Sequence, residues 1–266
     1  MDKDKFTFII PTRIDSHYQC SYLAIAIRQI QQFHPNNKIV LINDNSTIDI
    51  VSYLNHELTV NMNNITIKMC KYPGSAELIP YHDFLSNRYS DYAIILQDSF
   101  HLKQSLNLEN ITNDITFLWY ATNHRLEWSK IQEPMTEYNI DNDIHVHDDL
   151  IVDFVNTHAH ILIPKFLSYF NRIYHKKDRW IVCFGIMSII SHDFLTELHE
   201  KTGILNLVSQ IQNKRHRMVM ESVFSIACQY VLECSCSEIP IYDGLYYDGE
   251  RSRLETHNFI KYVFNR

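Results

Sequence analysis

The chain has 266 residues, enough for one large α/β domain or two small ones with a substantial core. Hydrophobic residues make up 45% and charged residues 21%, which excludes a disordered or fibrous chain. A net charge of −7 without a basic tract argues against nucleic acid as a partner. No apolar run approaches the length of a membrane span. The opening MDKDKFTF does not read as a signal peptide, so a cytoplasmic location is expected. The six cysteines form no CxxC pair and read as free thiols in a reducing compartment. Glycine is scarce, and neither G-x-G-x-x-G nor G-x-x-x-x-G-K-[ST] occurs, which argues against the familiar dinucleotide and P-loop sites.

In chain order, Phe6 to Ile10 (FTFII) reads as a first buried strand, closed by Pro11-Thr12-Arg13. Ser21 to Phe33 spaces Leu23, Ile27, Ile30 and Phe33 as on a helix, which His34-Pro35-Asn36-Asn37 ends. Lys38 to Ile42 (KIVLI) is a second strand running into Asn43-Asp44-Asn45-Ser46-Thr47. Ser46 or Thr47 is placed to N-cap a short helix through Leu58. Ile65 to Cys70 is a third strand, and Ala76 to Asn87 a helix. Tyr92 to Leu96 (YAIIL) is a fourth strand that stops abruptly at Gln97, Asp98, Ser99 and then His101. Strands alternating with helices at this pace indicate a doubly wound, mostly parallel sheet in a single domain.

The second half is less regular. Ile115 to Tyr120 reads as a strand, Asn123 to Asp149 as a polar loop, and Val152 to Ile163, with its HAHILI run, as a return to the sheet. Phe166 to Tyr174, Asp193 to Lys201 and Arg215 to Leu232 are helical candidates, the last being the longest.

FTFIIPTRID, IVLINDNSTID and SDYAIILQDS occur in the order and spacing of a GT-A-type glycosyltransferase, and the N-terminal hundred residues resemble the family-2-like members. The resemblance implies a Rossmann-like, mostly parallel but mixed sheet flanked by helices. Residues 1–101 would be the nucleotide-binding half and 102–266 the acceptor-binding half. It also implies a nucleotide-sugar donor, a UDP-sugar by expectation, and a glycan or protein acceptor. Pro11, Thr12 and Arg13 would border the nucleotide, with Arg13 meeting a phosphate or forming a surface salt bridge. Asp44 would contact the base or ribose, or else close a local Asx-turn. Gln97-Asp98-Ser99 stands where the family places Asp-x-Asp, with one acid instead of two. Asp98 is then the metal ligand or ribose contact, with help from His101. Mn²⁺ or Mg²⁺ is the expected cofactor, its dependence left open by that departure.

Downstream, the CFGIMS segment around Gly185 is similar to the family's glycine loop near the donor sugar. Arg217-Met218-Val219-Met220-Glu221-Ser222 is similar to its x-Glu-Asp helix, with Ser222 in place of the second acid. Glu221 is thus the expected catalytic base, unless it merely pairs with Arg217 one turn away. Asp178 is the reserve base. Arg179 and Trp180 are candidates for donor phosphate and acceptor sugar, Trp180 also reading as core. His257 is placed like the C-terminal histidine that completes the metal site. Two other readings stay open. The degenerate acids fit a module that binds nucleotide or glycan without turnover. His145-Val146-His147-Asp148-Asp149, with His158 and His160, partly fits a metallohydrolase motif whose last histidine is replaced by Leu150.

Overall fold

Phe6–Thr12 is an almost unbroken apolar and β-branched run, and it forms β1, with every residue buried. The computed structural model describes residues 5–56, 61–75, 77–118, 120–122, 150–176, 179–242 and 259–261. After β1 come α1 (His17–Phe33), β2 (Lys38–Asn43), α2 (Ile50–His56), β3 (Ile65–Met69), α3 (Ile79–Asn87) and β4 (Tyr92–Ile95). The main sheet has the order β3-β2-β1-β4-β9-β6, with β9 at Ser188–Ser191 and β6 at Ile115–Phe117. The first four strands are mutually parallel, and β9 runs antiparallel to both β4 and β6. The architecture is the expected single α/β domain with a mixed, mostly parallel sheet flanked by helices.

Two small ribbons flank this sheet. One joins β5 (Phe100–Leu102) to β10 (Phe259–Lys261), the other β7 (Tyr120–Thr122) to β8 (Ile181–Cys183). The remaining helices are α4 (150–157), α5 (Pro164–Ile173), α6 (His192–Thr202) and α7 (Lys214–Leu232). Alternate residues of the central strands feed two cores. Phe8, Ile10, Leu41 and Ile94 pack with α1 and α2, whereas Ile9, Val40, Ile42 and Ile95 pack with α3 and α5 to α7. A strand covered on both faces needs apolar residues at every position.

Several local expectations are corrected. Helix α1 starts four residues early, because Ser16 and Gln19 close a capping box: the Gln19 amide donates to Ser16 Oγ, and the Ser16 amide to Gln19 Oε1. Helix α2 starts at Ile50, with the Ser52 amide and hydroxyl both donating to the Asp49 carboxylate. Ser46 is no cap: its hydroxyl accepts from the Ile14 amide at 2.8 Å. The Ile115–Tyr120 run is divided, its first three residues joining the main sheet and Tyr120 the β7–β8 ribbon. Val152 to Ile163 does not return to the sheet but continues α4 into a turn.

Candidate functional site

In this strand order the chain steps outward from β1 to β3 and then returns to place β4 on the other side of β1. The direction of winding reverses between β1 and β4, and open α/β sheets bind ligands at the carboxyl end of such a crevice. The local sequence helps to open it. β4 pairs with β1 only from Phe6 to Ile9, and Pro11, which has no N–H to donate, lies just past that ladder. Beyond Ile95 the chain leaves β1 and turns through Gln97 to Phe100, whose amide donates to the Gln97 carbonyl at 3.0 Å.

Asp98 sits in this turn, 8% exposed. Its Oδ2 accepts from the Thr12 hydroxyl at 3.5 Å and from the Arg13 amide at 3.4 Å. On the other side of β1, Asp44 follows β2 and is 1% exposed. The Asp44 amide donates to the Thr12 carbonyl at 2.8 Å, so both acids adjoin the same residue of β1. Its carboxylate closes no Asx-turn; the neighbouring Asn43 side chain accepts from the Ser46 amide, three residues on, at 2.9 Å. Asp44 Oδ1 instead accepts from the Gly74 amide at 2.7 Å, tying the end of β2 to the loop after β3.

The second half of the chain meets this rim through Gly185. Its φ of +63° is in the left-handed region, and a Cβ there would lie 2.7 Å from Gln97 Nε2. Glycine thus takes the positive φ without strain and leaves room for the Gln97 side chain where the 184–187 segment approaches the turn bearing Asp98. Gln97 Nε2 donates to the Gly185 carbonyl at 3.4 Å, and the Gly185 amide donates to Glu221 Oε1 at 2.9 Å. Thr12, Arg13, Asp44, Gln97, Asp98, Gly185 and Glu221 thus form one connected series of contacts along the rim. Ser99 is buried in the same turn, and Pro11 is buried in β1.

Other expected residues sit elsewhere. His101 faces α1: its ring stacks on Tyr22 at 5.5 Å and Nε2 lies 3.2 Å from the Tyr22 carbonyl, so it does not assist Asp98. Burial lowers its pKa from the ordinary histidine value. The Arg13 guanidinium forms the exposed salt bridge to Asp15 at 3.0 Å, leaving only its backbone at the crevice. Trp180 is core, stacked on Tyr174 and donating to that residue's carbonyl at 3.0 Å. Ser222 is 1% exposed, so the place of the second helix acid is inside the core. His158 and His160 lie at the end of α4 and in the following turn, not on a strand that would align their rings. Asp178, His257 and the His145–Asp149 motif lie outside the described residues.

Three contributors carry no local signal in the sequence. Gly74 acts only through its amide. Glu77 and Arg217 form an ion pair at 3.6 Å, their side chains 11% and 22% exposed, which replaces the expected Arg217–Glu221 pair. Arg217 is one helical turn before Glu221 on α7, with its guanidinium turned to Glu77. Tyr81 is fully buried behind the 184–188 segment; its hydroxyl donates to the Ile186 carbonyl at 2.6 Å and lies 2.7 Å from Ser188 Oγ. Among the described residues, no three His, Cys, Asp or Glu side chains are grouped to hold a metal ion. No described helix is long and apolar enough to cross a membrane.

No family model matches the chain, and no curated protein matches it. Among solved structures, S. aureus TarS 1–349 in complex with UDP aligns at 14% identity and a TM-score of 0.33, over 44% of this chain and 36% of that one. S. aureus TarS 1–349 in complex with UDP-GlcNAc gives 14% identity and 0.33, over 44% and 34%. The galactosyltransferase LgtC with donor and acceptor sugar analogues gives 15% identity and 0.33, over 50% and 54%. The alignments are partial, and this chain spans about a third of the TarS structures and about half of LgtC.

Proposed function

We propose that this chain is a glycosyltransferase that moves a sugar from a nucleotide-sugar donor, a UDP-sugar, to a hydroxyl of a glycan or protein acceptor. The observation that carries this reading is the meeting of Asp44, Asp98 and the Gly185–Glu221 pair around the end of β1. Acids from segments more than fifty residues apart converge where the winding of the sheet reverses. A surface salt-bridge network would not require that placement.

Glycosyl transfer passes through an oxocarbenium-like transition state while negative charge grows on the departing diphosphate. In this reading Asp44 accepts from the base or ribose. In the same reading the donor phosphates meet the Arg217 guanidinium and the backbone of Arg13, whose amide already donates to Asp98 Oδ2. Glu221, oriented by the Gly185 amide, takes the acceptor hydroxyl's proton. Asp178, the other base candidate, lies outside the described residues. The described residues make a poor closed cage for a cation, offering Asp98 without two further grouped ligands. Asp98 and His257 are the residues that would hold a Mn²⁺ or Mg²⁺ ion, which would supply positive charge against the diphosphate. Residues 1–101 then form the nucleotide half and 102–266 the acceptor half.

A thermal-shift panel of UDP-, GDP- and CMP-sugars, with and without Mn²⁺, tests this reading. A ligand that binds only the native state raises apparent stability by about 2.7 kcal/mol at a hundredfold excess over Kd. A UDP-sugar is expected to stabilise the protein, and Asp98→Ala to remove most of that shift. Indifference to every nucleotide sugar would overturn it. One observation favours a non-catalytic binder: the rim has lost an acid at Gln97 or Ser99, and Ser222 is buried. Stabilisation by a UDP-sugar without sugar transfer to any acceptor would select that alternative.

A further inference from the structure

The 184–188 segment holds a backbone conformation that its own sequence does not favour. Gly185 has φ +63°, and the next residue, Ile186, has φ +47°. The first is easy for glycine. The second is not: a β-branched side chain in the left-handed region is a true outlier and persists only when its surroundings impose it. The surroundings here are specific. Tyr81, in the first turn of α3, reaches the segment from 105 residues away in sequence and donates to the carbonyl of Ile186 itself at 2.6 Å. Its hydroxyl also meets Ser188 Oγ at 2.7 Å, just past the strained pair. The ring is fixed by Phe224 of α7 at 4.7 Å, and the residue is fully enclosed. Burial raises the phenol pKa well above its ordinary value, so the donor stays protonated at any working pH.

In the same turn, the Gly185 amide holds Glu221 Oε1 at 2.9 Å, and the Gly185 carbonyl accepts from Gln97, the neighbour of Asp98. The three bonds fall on three successive peptide units, so a change of the backbone angles at Ile186 displaces the two units that carry the Gly185 groups. We propose that Tyr81 is a positioning residue: its hydroxyl clamps the strained Gly185–Ile186 turn and thereby sets the Glu221 carboxylate and the Gln97–Asp98 turn in place. Its consequence for catalysis rests on the glycosyltransferase reading; the clamp itself does not. Tyr81 touches no substrate. It acts through the backbone, and small misplacements of reacting groups cost up to about a hundredfold in rate.

The test removes one oxygen and reads two quantities. In Tyr81→Phe, amide hydrogen exchange at Gly185 is expected to speed up while exchange in the β1–β4 core stays as in wild type. With a UDP-sugar donor, kcat falls about ten- to a hundredfold while the donor KM changes little. In a Glu221→Gln background the same change costs little more, because the group it positions is already lost. A merely structural tyrosine would lower rate and stability additively in both backgrounds. Ser188→Ala, which leaves the Ile186 bond in place, is the milder control and should speed Gly185 exchange less. Unchanged Gly185 exchange in Tyr81→Phe overturns the clamp. Faster exchange with unchanged kcat overturns its link to Glu221. If the wild type turns over no nucleotide sugar, the transferase reading falls and the exchange arm still decides the clamp.

Discussion

Arg217 shows how a single side chain changes meaning once its neighbours are known. In sequence it is a routine i−4 partner for Glu221; in the fold it pairs with Glu77 at 3.6 Å, beyond hydrogen-bond length. The guanidinium is partly buried and without a close hydrogen bond to that carboxylate, and its planar donor fork suits a phosphate. Arg217→Lys keeps a cation opposite Glu77 but loses the fork. Titration of UDP should show binding weakened about tenfold, roughly the worth of one charge-assisted hydrogen bond, with thermal stability near wild type. Equal UDP affinity would remove Arg217 from the phosphate site. Asp44 carries the same lesson: its carboxylate is committed to the Gly74 amide thirty residues on, which no local pattern announces. Asp98, Gly185 and Glu221 stand out in the sequence because at each a polar or glycine residue follows or interrupts an apolar run. Gly74 and Tyr81 do not, because one acts through its amide and the other from inside the core.

Among the elements, β1 to β4 were readable because strands buried on both faces are apolar at nearly every position. The second half resisted for physical reasons. Its strands β6, β7 and β8 are three residues each, too short to show a period, and one apolar run serves two different sheets. The HAHILI run is the turn after α4, in which Leu162 is buried, Ile161 partly so and Ile163 exposed, and periodicity alone does not separate such a run from a short strand. Between these halves, the loop before β9 is the joint that brings Glu221 to the rim. Gly185→Ala tests it. A non-glycine residue in the left-handed region costs about 1–2 kcal/mol, and the new Cβ would push Gln97 aside. The urea midpoint should fall accordingly, and donor affinity should fall with it. Full stability and full affinity in the variant would contradict the close approach.

For the molecule as a whole, acid sensitivity follows from its buried histidines. His34 accepts from the Leu106 amide through Nε2 at 3.0 Å, which requires the neutral ring, and burial lowers its pKa to about 4. Burial lowers His82, His101 and His199 as well. The sign follows from the unfolded chain, which binds the proton more readily. The stabilisation is complete above the ordinary histidine value and is lost as pH falls from there toward about 4. His34 alone accounts for at most about 2 kcal/mol between neutral pH and pH 5. Urea unfolding at several pH values should show this slope, and His34→Gln, which keeps an acceptor but does not titrate, should flatten it. An identical slope in the variant would assign the acid sensitivity elsewhere.

We propose that the reversal of winding between β1 and β4 creates a nucleotide site bordered by Asp44 and Asp98. Isothermal titration of UDP tests it most directly, comparing wild type with Asp98→Asn and Asp44→Asn, both of which keep a side-chain oxygen as acceptor. Saturable one-to-one binding is expected, weakened at least about tenfold by each substitution. Absence of UDP binding, or binding indifferent to both changes, would contradict it.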